Sequence, residues 1–242
     1  MDSNFKPYDH VASFNRLDGY LDSSDSKYEE RDKLPDRDDL TFENGFYAYC
    51  SALFIDLRDS SALPNKYGRP TLAKIYRAFI SEMVAILNSD PYTREVNIVG
   101  DCVWGVYNTP LQSHIDDIFR LAYEANSLMQ VLQYKMAQRG YETPLTAGIG
   151  LAYGRALMIK AGYSGSGIND VIYMGDVVNR AAHLASEGNR GYGKKALMVD
   201  EVFYNNLTDH NKDLLRLHQT LRCYTGDVIH TGMQDWYDRN CT

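Results

Sequence analysis

The order of apolar segments after residue 45 constrains the fold of this chain more than any other feature. Strand-like apolar runs alternate with longer segments whose apolar residues recur at helical spacing. In chain order these are a strand at 46–56, a helix at 70–88, strands at 94–99 and 102–107, a helix at 111–138, and strands at 145–153 and 155–161. Strand, helix, strand, strand, helix, strand is the order of the split βαβ, or ferredoxin-like, arrangement. The sequence therefore predicts an α+β fold with a central antiparallel sheet and flanking helices.

The two ends of the chain are predicted separately. Residues 1–45 mix charges, serines and tyrosines, which indicates an acidic arm that is partly mobile or docked on a domain spanning 46–242. Apolar residues at helical spacing within that arm favour a short helix: Phe5, Tyr8, Val11, Phe14 and Leu17. The C-terminal third predicts a strand at 170–173, a helix at 177–187, a strand at 196–199, a helix at 200–207 and strands at 215–224 and 228–237.

Charge and cysteine usage exclude several classes of protein. The net charge is −7, and residues 1–45, with twelve acidic and six basic side chains, supply −6 of it. The rest of the chain is near neutral, so no basic face for nucleic acid is expected. No run of about 18 apolar residues predicts a membrane span. The spacing of the four cysteines fits no zinc site, and we expect a cytoplasmic protein with free thiols at Cys50, Cys102, Cys223 and Cys241.

Two aspartates at strand ends are the main candidates for chemistry. Asp56 ends the first strand, and Asp101 lies in the turn of the predicted hairpin, which a split βαβ sheet places beside that strand. With the carbonyl of Leu57, these carboxylates offer the oxygen ligands that two Mg²⁺ or Mn²⁺ ions prefer. Ser60 and Ser61 open the next turn, where backbone N–H groups are expected to bind phosphate. Taken alone, Asp56 is better explained as a strand terminator and Asp101 as a turn former; their pairing within a matching fold pattern is what favours the metal site.

Four segments give the chain a family resemblance. FIDLRDSSAL, IVGDCVWGVY, AGIGLAYGRALMIKAG and YMGDVVNRAAHLAS, in this order, resemble the class III nucleotidyl cyclases over about residues 46–237. The resemblance implies a phosphorus–oxygen lyase that converts a nucleoside triphosphate into a 3′,5′-cyclic monophosphate and pyrophosphate. It implies composite active sites in a head-to-tail homodimer. It also assigns Asp56 and Asp101 as metal ligands and Asn179 as the residue that orients the ribose.

The sequence departs from that family at the positions that recognise the base. Adenylate cyclases have lysine, and guanylate cyclases glutamate, four residues before the second metal aspartate, where this chain has Asn97. Ile172 stands where the family has aspartate, threonine or cysteine, and its side chain forms no hydrogen bond with a purine.

Two catalytic positions depart as well. His183 occupies the place of the transition-state arginine, and Arg180, one helical turn earlier, is a candidate to compensate for it. The phosphate-binding lysine of the family has no clear match, although Arg222 and His230 lie in the corresponding region.

These departures resemble the pyrimidine cyclases of bacterial Pycsar antiphage defence. Those enzymes make cyclic UMP or cyclic CMP, a diffusible signal for a separate effector. The amide of Asn97 matches uracil and, flipped, cytosine, so both UTP and CTP remain open, with the uridylate enzyme favoured. Tyr49, or its neighbour Tyr47, is a candidate to stack on the smaller base.

Other interpretations stay open at this point. The tyrosines and His183 are also compatible with packing roles, and Asn97 with a polar residue at a strand edge. At the level of function, the alternatives are a purine cyclase, a degenerate cyclase domain that binds nucleotide without turnover, and a dinucleotide cyclase. The last is disfavoured because the hairpin carries no GGDEF-like signature.

Overall fold

One mixed sheet organises the chain. The computed structural model describes residues 4–241, and within that range nine strands form a single sheet. The strands are β1 (Tyr28–Glu30), β2 (Gly45–Leu57), β3 (Thr93–Val99), β4 (Cys102–Tyr107), β5 (Ala147–Tyr163), β6 (Ile168–Met174), β7 (Leu197–Asp200), β8 (Arg216–His218) and β9 (Cys223–Gly226). The helices are α1 (His10–Leu21), α2 (Arg69–Leu87), α3 (Gln112–Ala137), α4 (Asp176–Glu187), α5 (Glu201–Asn205), α6 (Asp209–Asp213) and α7 (Thr231–Asn240).

The strand order confirms the predicted fold class. The main path through the sheet is β3-β4-β2-β5-β7-β9-β8, with β1 pairing in parallel with β2, and β6 antiparallel with β5. Strands β2, β3, β4 and β5, with α2 and α3 as their crossovers, form the split βαβ unit. Strand β2 lies at its centre, antiparallel to both β4 and β5.

The alternation of side chains along β2 builds a core on each face of the sheet. Leu53 and Ile55 pack towards α2 and α3, against residues such as Phe79 and Phe119. The intervening residues, including Phe54, pack on the other face in a cluster with α4. Burying one large apolar side chain stabilises the fold by about 1.5–3 kcal/mol. Burial on both faces of the sheet explains why residues 46–56 are apolar nearly throughout.

Helix α4 lies directly on β5 because glycines leave room for its backbone. A Cβ atom at Gly148 would overlap the carbonyl oxygen of Ala185, and one at Gly150 would overlap the carbonyl oxygen of Ala181. The backbone of the helix therefore contacts the backbone of the strand, which fixes the height of α4 above the sheet.

Three predicted elements differ from the structure. The strands predicted at 145–153 and 155–161 are one strand, β5, because Gly154 pairs with Cys50 inside an unbroken ladder. The strand predicted at 228–237 is wrong: α7 begins there, and His230 accepts a hydrogen bond from the N–H of Met233 (3.1 Å) as its N-cap. The strand predicted at 215–224 is the short hairpin of β8 and β9.

The N-terminal arm has two parts. Helix α1 forms where it was predicted, but its apolar residues are each more than half exposed: Val11, Phe14 and Leu17, with Phe5 and Tyr8 just before it. Residues 28–45 are docked on the sheet, since β1 pairs with β2 and Leu34 and Leu40 are buried in the α4-side core. The boundary predicted between residues 45 and 46 thus falls within one sheet.

Among residues 4–241, no helix is both long and apolar enough to cross a membrane.

The contact between α4 and β5 predicts a sharp difference between two glycines of the same strand. Gly150→Ala should lower the free energy of unfolding by about 3 kcal/mol, because the added methyl group forces α4 off the sheet. At Gly154 the nearest atom to a new Cβ is Val177 Cβ at 3.4 Å, an ordinary contact, so Gly154→Ala should cost less than about 1 kcal/mol. Urea denaturation of both variants measures this, and equal losses would contradict it.

Candidate active site

The register of β2 and β4 brings the two candidate aspartates to one end of the sheet. Asp56 pairs with Cys102, the first residue of β4, and Asp101 directly precedes Cys102 in the turn. Gly100 takes a left-handed φ of 63° there, which glycine adopts without strain. The carbonyl of Leu57 follows Asp56 by one peptide. Both carboxylates and this carbonyl therefore lie at the same sheet end.

A residue that the sequence analysis missed contacts this site. The guanidinium of Arg58 is ion-paired with Asp56 and donates a hydrogen bond to the carbonyl oxygen of Ser186 at 2.6 Å. The Arg58 side chain is 5% exposed, whereas that of Asp56 is 31% exposed. Arg58 thus joins the end of β2 to the last turn of α4 and fixes one side of the Asp56 carboxylate.

The charges around Arg58 describe the electrostatics of the site. Burial lowers the pKa of Arg58, and the nearby Arg190 lowers it further, while Asp59 and Asp101 act in the opposite direction. Positive charge from Arg58 and Arg190 therefore lies beside the carboxylates. The sequence did contain a pattern that indicates this contact: an arginine stands two residues after a strand-end aspartate. In an extended chain, side chains two residues apart lie on the same face.

The donor set at this end suits a hard divalent cation. Among residues 4–241, no group of three or more His, Cys, Asp or Glu side chains is arranged to hold a metal ion. The predicted set is smaller, two carboxylates and a backbone carbonyl, which leaves the other positions around each cation to water and phosphate oxygens. Mg²⁺ is commonly bound in this way, through one or two carboxylates and its substrate. The oxygen donors therefore fit the proposed cations.

The turn after Asp56 contains the two serines that were predicted to contact phosphate. Ser60–Asn65 form a 3₁₀ turn whose first backbone bond runs from the N–H of Ala62 to the carbonyl of Asp59 (2.9 Å). Ser60 and Ser61 are its first two residues. The hydroxyl of Tyr76 on α2 donates to the carbonyl oxygen of Ser60 at 3.1 Å, which anchors the turn to the core.

Helix α4 presents two of its three candidate residues to solvent. Asn179 and His183 are exposed and lie one turn apart on the same side of the helix. Arg180 is engaged elsewhere: its Nε donates to Asp200 (3.0 Å), and its Nη2 donates to the carbonyls of Leu221 and Arg222 (2.9 Å each). This geometry argues against Arg180 as a substitute for the family arginine.

The base-recognition candidates do not meet within one chain. Asn97 pairs with Trp104, whose ring stacks on Phe54 (centroids 4.9 Å apart), so all three lie on the α4 face with Asp56. Ile172 and Tyr49 point to the opposite face, because their neighbours in β6 and β2 are buried against α4. Asn97 therefore shares a face with the carboxylates, while Ile172 and Tyr49 do not.

Distances along α4 indicate that one chain does not complete the site. Asn179 lies seven residues before Ser186, which is about 10 Å along a helix. Asp56 is tied to the Ser186 end, whereas Asn179 is exposed near the other end. The cavity of about 570 Å³ beside α3 and α7 is lined by none of the predicted metal, ribose or base contacts, although His230 lines it. The arrangement suits a site that a second copy completes.

Comparison with known proteins identifies the same type of domain. The family model described as the adenylate and guanylate cyclase catalytic domain matches residues 43–216. A uridylate cyclase of Gulbenkiania mobilis is 41% identical over 258 aligned positions, covering 99% of this chain and 100% of that protein. A uridylate cyclase of Treponema porcinum is 32% identical, and the alignment covers 96% of this chain and 82% of that protein.

A solved structure agrees with the fold. A class III adenylyl cyclase-like ATP-binding protein from Pseudomonas aeruginosa superposes with a TM-score of 0.70 at 17% identity. The match covers 93% of this chain and 48% of that protein, so this chain corresponds to about half of it.

The ion pair between Arg58 and Asp56 predicts strong coupling in a double-mutant cycle. Arg58→Met and Asp56→Asn should each destabilise the protein, because each leaves a partly buried charge without its partner. The double variant should lose about 2 kcal/mol less than the sum of the two. The exposed pair of Lys27 and Glu43 serves as the control, and urea denaturation should show a much smaller coupling there because solvent screens the two charges. Additive losses at Arg58 and Asp56 would contradict the assignment.

Proposed function

The chain belongs to the adenylate and guanylate cyclase family, the class III nucleotidyl cyclases, and we propose that within this family it converts UTP into 3′,5′-cyclic UMP and pyrophosphate. The observation that carries the choice of UTP is the similarity, over nearly the whole chain, to two proteins that are each named uridylate cyclase. Asn97 supports it, since asparagine stands where purine cyclases carry lysine or glutamate. CTP is the closest competing substrate.

The cations that class III cyclases use would be held at the end of β2. We assign Asp56, Asp101 and the carbonyl of Leu57 as ligands of two Mg²⁺ or Mn²⁺ ions. Bound there, the ions supply activation of the ribose 3′ hydroxyl and neutralise charge on the triphosphate. Arg58 would hold Asp56 in place, because its guanidinium also donates a hydrogen bond to the carbonyl oxygen of Ser186.

The triphosphate would lie against the turn that follows. The backbone N–H groups of Ser60 and Ser61 precede the first hydrogen bond of that turn, so they are free of turn bonding and suited to phosphate oxygens. Arg190 adds positive charge on this side of the site.

A second copy would supply the ribose contacts. Class III cyclase domains act as dimers, and we propose a head-to-tail homodimer in which Asn179 and His183 of one chain face the carboxylates of the other. Asn179 would orient the ribose. His183 would donate a hydrogen bond to the charge that develops on the phosphate, most effectively when it is protonated. Its place on α4, exposed and one turn from Asn179, supports this role.

Base recognition is assigned to Asn97. Its amide has one acceptor and two donors, which match O4 and N3–H of uracil. Ile172 contributes no hydrogen bond, which removes the second purine contact of the family. Tyr49 stays a candidate for stacking only if the partner chain brings it to the base, because it lies on the other face of its own sheet.

The wider role follows from the resemblance to the Pycsar cyclases. We propose that the cyclic nucleotide acts as a cytoplasmic second messenger in antiphage defence and is detected by a separate effector protein.

A second candidate function is nucleotide binding without turnover. It is motivated by His183 in place of arginine and by the lysine that has no match. The two carboxylates at one sheet end favour catalysis over this alternative, since binding alone has little need for two metal ligands.

Incubation with each of the four ribonucleoside triphosphates and Mn²⁺ tests the function. UTP should give cyclic UMP, and Asp101→Asn should lower the rate at least about 100-fold, because the variant loses a charged metal ligand. Asp59→Asn removes the same charge three residues after Asp56 and should stay within about threefold of the wild type. Turnover of ATP or GTP with UTP and CTP inert would exclude a pyrimidine cyclase, and binding without pyrophosphate release would support the second candidate.

Removal of the Asn97 amide tests base recognition. Asn97→Ala should lower kcat/KM for UTP about 10- to 100-fold, the cost of a lost bidentate contact. Ile98→Ala is the control, since Ile98 is the next residue on the same edge strand, is exposed, and points to the other face. Steady-state kinetics with UTP and CTP measure both variants. An unchanged kcat/KM for UTP in Asn97→Ala would remove Asn97 from this role.

A further inference from the structure

A buried acidic residue lies close to the base-recognition candidate on β3. Glu95 is two residues before Asn97, on the same face, and its side chain is 9% exposed. One of its carboxylate oxygens accepts a hydrogen bond from the hydroxyl of Tyr173 at 3.0 Å. The other is paired with Arg37 Nη1 at 2.5 Å. A carboxylate with so little exposure needs both of these partners.

Arg37 connects this carboxylate to a second strand. Its other guanidinium nitrogen is ion-paired with Asp170 on β6. The same N-terminal segment is fastened to β3 once more, because Arg94 donates to the carbonyl of Pro35 and is ion-paired with Asp36. Residues 35–37 therefore bridge β3 and β6.

The bridge joins two strands that are not neighbours in the sheet. Strand β3 is an edge strand, paired only with β4, and β6 is paired only with β5. Between the two lie β4, β2 and β5, so no main-chain hydrogen bond relates β3 to β6. The direct links between them are side chains that cross the α4 face: the Tyr173–Glu95 hydrogen bond and the two ion pairs of Arg37.

Charge and burial indicate how firmly the cluster is held. Burial raises the pKa of Glu95, and Arg37 and Tyr173 counteract this increase. Burial alone would lower the pKa of Arg37, but the hydrogen bond with Asp170 and the charge of Glu95 raise it. Arg37 is itself half exposed, but its guanidinium bridges two carboxylates at once, and one of them, Glu95, is nearly buried.

We propose that Arg37 of the N-terminal segment is a positioning residue for base recognition: with Glu95 and Tyr173 it fastens β3 to β6, and so sets the pose of Asn97 on β3. This inference rests on the proposed role of Asn97. Ile172 directly precedes Tyr173, and Asn97 follows Glu95 by two residues, so the two positions that depart from the purine pattern lie on the two strands that Arg37 joins. Arg37 itself contacts neither site residue.

The position of the cluster predicts which kinetic constant changes. Asp101 lies six residues beyond Glu95 along the hairpin, about 20 Å in extended chain. The metal end is also fixed independently, by β2, β4 and Arg58. Loss of Arg37 should therefore loosen the base contact and leave the geometry of the reacting phosphate intact.

The test compares Arg37→Gln with Lys27→Gln. Lys27 lies in the same N-terminal segment and forms an exposed ion pair with Glu43, so its variant loses one charge and one ion pair without contact to β3 or β6. In Arg37→Gln, the ratio of kcat/KM for UTP to that for CTP should fall about tenfold, through a higher KM, with kcat within about twofold of the wild type. Lys27→Gln should leave the ratio, KM and kcat unchanged. Arg37→Lys should recover only part of the ratio, since an ammonium does not bind two carboxylates in the same fork geometry.

Tyr173→Phe provides an independent variant that keeps the ring in the core. It removes only the hydroxyl that bonds Glu95, and it should lower the same ratio in the same direction. An unchanged ratio in both variants would overturn the inference. So would a fall in kcat and melting temperature with the ratio preserved, which is the result of a purely structural role.

Failure of this inference can be distinguished from failure of the proposed function. If the wild type prefers a base other than uracil, the proposed function fails, but the ratio between its preferred triphosphate and the next best still reports on Arg37. If the wild type prefers UTP and the ratio is insensitive to Arg37, the inference alone fails.

Discussion

The antiparallel register between β2 and β4 brings Asp56 and Asp101 to one end of the sheet, where we propose that the divalent cations bind. Asp56 faces Cys102, and this places Asp101 of the turn beside it. A slip by one residue would turn Asp56 towards the apolar core under α2 and α3. The register is held by apolar residues on both faces of β2.

The candidate site residues differ in how firmly the fold holds them. Arg58 ties Asp56 to the last turn of α4, so the metal carboxylates belong to a rigid corner of the fold. Asn179 and His183 lie further along the same helix and face solvent. The N-terminal segment adds a third region through Arg37, which relates the two strands that carry Asn97 and Ile172. The residues proposed for metal ligation, ribose contact and base recognition are therefore anchored by separate sets of bonds.

The fold was largely predictable because periodicity determines the split βαβ unit. The aspartate pair was predictable for the same reason, since strand order alone makes Asp56 and Asp101 neighbours. Long-range polar contacts were not: nothing local indicates that Arg58 reaches Ser186 or that Arg37 reaches Asp170. The C-terminal helix α7 was mistaken for a strand because its apolar residues are few and its N-cap, His230, is an unusual one.

Complementation between two inactive variants tests the central claim, that each active site takes its carboxylates from one chain and Asn179 from another. Asp101→Asn and Asn179→Ala should each be inactive alone. When their subunits are mixed and exchanged, half of the dimers are mixed and each has one intact site, so activity should return to about a quarter of the wild-type value. If native mass spectrometry shows mixed dimers and the sample stays inactive, both sets of residues act within one chain and the account is contradicted.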